Sequence, residues 1–119
     1  MPLSPEDYSL FSDSIASYLR ERYDNGERRR ISDSEAGWSE DHWQAFATDL
    51  GLLGAGFPEE LGGLGGGAAA HAMIMEQFGA ALVIEPYLST AVIGGGFLQH
   101  GNMAGAADVI ARLLSAGPP

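Results

Sequence analysis

Apolar side chains recur at helical spacing along most of this chain, and clusters of glycine and polar residues break the pattern into segments. Tyr8, Phe11, Ile15, Tyr18 and Leu19 form one stripe on a 3.6-residue period. Ser4-Pro5-Glu6-Asp7 supplies its start, with a serine cap, proline in the first turn and acids where the helix dipole favours them. This predicts a first helix running to about Tyr23, ended by Asp24-Asn25-Gly26. The polar stretch Glu27 to Gly37 reads as an exposed connector. A second helix opens at Trp38-Ser39-Glu40-Asp41, carries Trp43, Phe46, Ala47 and Leu50 on one face, and stops at Gly51.

Residues 52–67 hold too many glycines for a long helix or a strand, and read as an ordered loop anchored by Leu53, Phe57 and Leu61. From Ala68 to Phe78 only His71, Glu76 and Gln77 are polar, which predicts a third helix closed by Gly79 and apolar nearly all round. Pro86 to Gln99 is similar, with Ser89, Thr90 and Gln99 as its polar side chains. A helix without a wet face must be covered. His100-Gly101-Asn102 ends that segment. Ala106, Val109, Ile110, Leu113 and Leu114 then mark an amphipathic last helix stopped by Gly117-Pro118-Pro119. The expected fold class is all-α, a bundle of five to six helices forming one domain over residues 1–119. Two apolar helices exceed what three amphipathic ones can cover, so more polypeptide is expected over them.

Composition narrows the function classes. Sixteen acidic residues against six basic ones give a net charge of −10 in 119 residues, which repels nucleic acid and anionic lipid. There is no cysteine, hence no disulfide, thiolate metal site or cysteine nucleophile, and a cytoplasmic setting is expected. The N-terminus has no signal-peptide pattern, and no apolar run is long enough to span a bilayer.

Candidate chemistry is sparse. Gly63-Leu64-Gly65-Gly66-Gly67-Ala68 has the letters of a dinucleotide fingerprint but lacks the preceding strand, so it reads as a structural corner. Adjacent Glu59 and Glu60 point in different directions and suit loop capping better than paired catalysis. Glu76 and Glu85 flank apolar helices and would be candidate general bases if buried, although nothing pairs them with a substrate. His42, His71 and His100 have no second ligand at i+3 or i+4, so no metal site is expected. Arg28-Arg29-Arg30 reads as solvated or paired to nearby acids. Gly94-Gly95-Gly96 sits inside a helix, where each glycine costs roughly 1 kcal/mol against alanine. It therefore marks either close helix packing or room for a ligand such as an acyl chain.

Trp43, Leu50-Gly51-Leu52-Leu53-Gly54, Phe57-Pro58-Glu59-Glu60-Leu61-Gly62-Gly63-Leu64-Gly65 and Met75-Glu76-Gln77-Phe78-Gly79 together resemble the N-terminal helical domain of acyl-CoA dehydrogenases. Gly37-Trp38-Ser39 and Glu85-Pro86-Tyr87-Leu88-Ser89-Thr90 resemble the small subunit of bacterial pimeloyl-CoA dehydrogenases. Ala80 departs from the pattern, since many relatives carry arginine there. The resemblance implies a flavoenzyme using FAD, with the middle β-domain and C-terminal helical domain outside this chain. It implies α-proton abstraction from a medium or dicarboxylic-type acyl-CoA, hydride transfer to the flavin, an electron-transfer flavoprotein as redox partner, and a homo- or hetero-tetramer. The base and most flavin contacts would lie outside this chain, so no catalytic residue is expected here. In the family the fifth helix forms one wall of the acyl pocket. Carried onto Pro86 to Gln99, this gives Tyr87, Leu88, Ala91, Val92 and Gly95 as the expected substrate-binding residues. The competing reading is a stand-alone helical interaction module without catalysis.

Overall fold

A computed structural model describes residues 3–115, and the expected stop at Gly117-Pro118-Pro119 lies outside them. Six helices follow one another among the described residues, with no strand. Helix α1 (Pro5–Arg22) starts as its sequence dictates: the Ser4 hydroxyl accepts from the Asp7 amide and the Asp7 carboxylate accepts from the Ser4 amide, a complete capping box. Ile15 and Leu19 of its apolar stripe are buried, and Tyr8, Phe11 and Tyr18 pack beside them.

The segment after α1 is the first correction. Asn25–Ser32 is a helix, α2, and not a connector. Tyr23 caps the end of α1, and Asp24 begins α2, its carboxylate accepting from the Glu27 amide at 2.8 Å. Ile31 anchors this short polar helix and is fully buried. Helix α3 (Glu40–Gln44) is capped by Ser39 and widens into a π turn over Ala45–Asp49 before Gly51 turns left-handed. The loop that follows contains two 3₁₀ turns, Leu52–Gly54 and Glu59–Leu61, and buries Leu52, Leu53 and Phe57.

Helix α4 spans Gly67–Ala81 and passes straight through Gly79, where an end was expected. Its stop is a Schellman motif three residues later. The Leu82 amide donates to the Gly79 carbonyl and the Val83 amide to the Phe78 carbonyl, with Leu82 left-handed at φ 56° where glycine is usual. Helix α5 begins as a π turn over Leu88–Gly94 and continues as Gly95–His100. Helix α6 (Ala106–Leu114) buries Ile110 and Leu113 against α5 and the 3₁₀ turns.

These elements form a slab of 41 × 35 × 19 Å. Its thin dimension is about two helix diameters, so each helix has a side that no other part of the chain covers. A single seam runs through the middle. Phe46 of α3 meets Phe78 of α4 at 4.9 Å between ring centroids, and Phe78 meets Tyr87 edge-on at 5.3 Å. Burying each such ring is worth roughly 1.5–3 kcal/mol. The apolar helices α4 and α5 are thus only half covered. In α4 the buried stripe is Ala70, Ile74 and Phe78, while Ala68, Ala69, Ala72 and Ala80 face outward.

The triple glycine of α5 divides into two kinds of position. A Cβ on Gly95 would lie 2.6 Å from Cζ of buried Phe57, whereas one on Gly96 would meet nothing within 4 Å. Gly95→Ala is therefore expected to destabilise the protein by about 1–3 kcal/mol through overpacking. Gly96→Ala should stabilise it by up to about 1 kcal/mol, since it removes only the helix cost of glycine. Urea unfolding of the two variants beside the unmodified protein checks the opposite signs.

Candidate functional site

The outward side of α5 is the least satisfied surface of the molecule. Leu88 is 48% exposed, Ile93 51% and Phe97 75%. Two grooves meet there. One of about 420 Å³ is lined by Ile93, Gly96, Phe97, His100 and Gly101. The other, of about 280 Å³, runs from Met75 and Val83 past Pro86, Leu88 and Ser89 to the same Ile93.

The Gly95 amide reaches back five residues to the Thr90 carbonyl, so the π turn is wider than an α-helical one. The inward stripe falls on every fourth residue, Tyr87, Ala91 and Gly95, all buried. The expected acyl wall of Tyr87, Leu88, Ala91, Val92 and Gly95 is therefore not one open face. Tyr87, Ala91 and Gly95 point into the chain's own core, with Gly95 against Phe57, so the depth its missing side chain was expected to give is already filled. Leu88 and Val92 stay accessible. Ile93 and Phe97 join them on the outside, and the sequence pattern hid them because it assigned the whole helix to burial.

Tyr87 has one polar partner. Its hydroxyl lies 2.9 Å from Nδ1 of His71 on α4, and its burial pushes the phenol well up. Burial likewise lowers the His71 pKa. Of the two candidate bases, Glu76 is exposed, while Glu85 is buried with both carboxylate oxygens engaged. Glu85 accepts from the Tyr23 hydroxyl at 2.5 Å and from the Ser39 amide at 2.8 Å. Glu85 borders the smaller groove, but with both oxygens engaged it serves as a structural acceptor.

A second polar cluster lies across α1, α2 and α3. His42 Nε2 is 2.8 Å from Glu27, and its Nδ1 is 2.7 Å from the Tyr18 hydroxyl. A carboxylate can only accept, so Nε2 donates to Glu27, and Nδ1 pairs with the Tyr18 hydroxyl. Arg30 closes the chain by donating to Glu27 at 2.6 Å, which pairs one member of the arginine run as its acidic surroundings suggested. This cluster floors a polar cleft of about 540 Å³ also bordered by Asp41 and Asp49. No group of three metal-ligating side chains exists among the described residues. None of their helices is long and apolar enough to cross a membrane.

The Arg30 guanidinium, and after it the His42 ring, holds the Glu27 carboxyl at about 2, below its ordinary 4.5. A carboxyl with a depressed folded-state pKa stabilises the fold above its unfolded value. That contribution is lost as pH falls from 4.5 towards about 2. Following the Glu27 carboxyl by NMR should show the low titration, and Arg30→Ala should move it up. Glu27→Gln should flatten the loss of urea resistance over the same pH range; an unchanged acid limb would contradict the assignment.

Comparison with known proteins agrees with this geometry. The family model described as acyl-CoA dehydrogenase, N-terminal domain, matches residues 5–116. The acyl-CoA dehydrogenase IpdE2 of Mycobacterium tuberculosis is 31% identical over 86 residues, covering 72% of this chain and 27% of that protein. IpdE2 of Mycolicibacterium smegmatis is 30% identical over 97 residues, covering 82% and 31%. In fold, the chain is similar to the Tcur3481-Tcur3483 steroid ACAD, with a TM-score of 0.84 and 22% identity over 93% of this chain and 30% of that one. The chain thus spans less than a third of the length of these relatives. Matched over nearly its whole length, it belongs to the acyl-CoA dehydrogenase family, through that family's N-terminal helical domain.

Proposed function

We propose that this chain is the N-terminal domain of an FAD-dependent acyl-CoA dehydrogenase, and that α5 supplies one apolar wall of the acyl pocket. The single observation that carries this reading is the uncovered apolar side of α5, where Leu88, Ile93 and Phe97 face outward from a folded core. Family membership favours it over a stand-alone interaction module. The wall is formed at the surface by Leu88 and Val92, with Tyr87, Ala91 and Gly95 behind them as its packed backing. Further polypeptide, the β-domain and second helical domain of the family, would close the pocket from the other side.

Acyl-CoA dehydrogenases are generally FAD-dependent, and the bound flavin takes up the hydride. The central amides of the glycine-rich loop do not form a phosphate cradle. In the glycine-rich loop the amides of Leu64, Gly65 and Gly66 donate to Gly54, Phe57 and Ala55, at 3.0, 2.8 and 2.9 Å. The Gly63 backbone is packed so closely on the Phe57 carbonyl that a Cβ would lie 2.1 Å from its oxygen. Those three amides are spent on the loop's own carbonyls and are not available to a phosphate. The cofactor and the base are assigned to segments beyond these residues, and this chain's part is to shape and dry one side of the pocket. The larger groove, lined by Ile93, Gly96, Phe97, His100 and Gly101, offers a mostly apolar surface to an acyl chain. An electron-transfer flavoprotein as redox partner, a tetrameric assembly and a cytoplasmic setting belong to the same proposal.

The gene product containing this chain should carry an oxidised flavin spectrum that bleaches on anaerobic addition of an acyl-CoA. A protein with no bound flavin, or one whose flavin stays oxidised with every acyl-CoA, would overturn the reading. Ile93→Trp in that protein should lower kcat/KM for long acyl chains about tenfold more than for short ones, because Ile93 lines both grooves and the larger ring fills them. Equal losses at all lengths would count against the wall.

A further inference from the structure

Among the described residues Glu85 is the one buried acid, at 4% exposure, and the proposed chemistry does not use it. Its two oxygens reach parts of the chain far away in sequence. Oε1 accepts from the hydroxyl of Tyr23 at the end of α1, and Oε2 from the amide of Ser39, the cap of α3. Tyr23 in turn accepts from the Ile84 amide at 3.1 Å, so its hydroxyl is engaged on both sides. Burial, and then the hydrogen bond to Glu85, pushes the Tyr23 phenol far up, which keeps it a donor. Four residues thus close a ring of polar contacts around one corner, residues 84 to 86.

That corner sets the direction of α5. Pro86 confines residue 85 to extended backbone and offers no amide of its own. The π turn that follows has no side-chain cap, and its first residues inherit their orientation from the corner. On the other side stands Leu82, left-handed and without glycine's freedom, so the chain between α4 and α5 has little slack. We propose that Glu85 is a positioning residue: clasped between Tyr23 and Ser39, it fixes how α5 sits and hence how far Leu88 and Val92 stand from an acyl chain. The inference rests on the acyl-wall reading for its consequence in catalysis, but its structural half stands on the clasp alone.

Two variants test it in the full gene product. Glu85→Gln keeps the volume but leaves either Tyr23 or Ser39 facing an amide nitrogen. Tyr23→Phe removes one donor while leaving the Ser39 contact. A buried group without its partner weakens the local structure it holds. In both variants the amides of residues 83–93 should exchange about tenfold faster, while those of residues 67–81 stay within about twofold. KM for the longest accepted acyl-CoA should rise about fivefold with kcat and the short-chain KM within about twofold, the mark of a displaced wall rather than damaged chemistry. Unchanged exchange at 83–93, or the same acceleration throughout the chain, would overturn the clasp. Local acceleration with an unchanged chain-length profile would overturn its role in setting the wall. Should the unmodified protein oxidise no acyl-CoA, the functional reading falls, and the exchange data still decide whether Glu85 seats α5.

Discussion

One seam of rings and branched side chains holds a slab only 19 Å thick. Phe46, Phe78 and Tyr87 join α3, α4 and α5 along it, and Phe57 from the glycine-rich loop fills the space that Gly95 leaves open. A slab of that thickness has no second layer of core. Every helix therefore keeps an outer side, and what that side is made of decides what the domain is for. Helix α2 and most of α1 turn polar residues outward, with Leu10 the exposed exception on α1. Helix α5 turns out Leu88, Ile93 and Phe97.

The polar groups inside follow the same economy. Each buried one ties separate elements together: Tyr18, His42 and Glu27 link α1, α3 and α2, and Tyr23, Glu85 and Ser39 link α1 with the beginnings of α5 and α3. A flat arrangement has few long-range apolar contacts to spend on orientation. Directional hydrogen bonds from buried, partnered groups can supply it instead. The glycine-rich loop does similar work with backbone alone, its amides laced to its own carbonyls.

Much of the architecture could be read from local pattern. The caps at Ser4 and Ser39, the stripe Tyr8 to Leu19, the loop anchors Leu53 and Phe57 and the last helix all depend on residues within one or two turns of each other. Helix α2 escaped because a single core residue, Ile31, gives no periodicity, and because Asp24-Asn25-Gly26 writes a turn and a helix cap in the same letters. Gly79 misled for a related reason: glycine often ends a helix, but the bonds that end this one are set by the fold of the corner at Leu82. The candidate wall was half legible. Its helix was in the right place, but Leu88, Ile93 and Phe97 are apolar like the core residues between them, so the letters alone do not tell which side is left uncovered. The Tyr23 to Glu85 contact spans 62 positions and left no trace in sequence spacing.

The central claim is that the apolar side of α5 is built to be covered by more polypeptide than this chain contains. Hydroxyl-radical footprinting of Phe97 and Ile93 tests it most directly, comparing the 119-residue chain alone with the longer protein of which it is proposed to be the first domain. The account predicts strong labelling of both side chains in the short chain and about tenfold protection in the long one, while exposed Leu10 on α1 labels equally in both. Equal labelling of Phe97 and Ile93 in the two forms would contradict it.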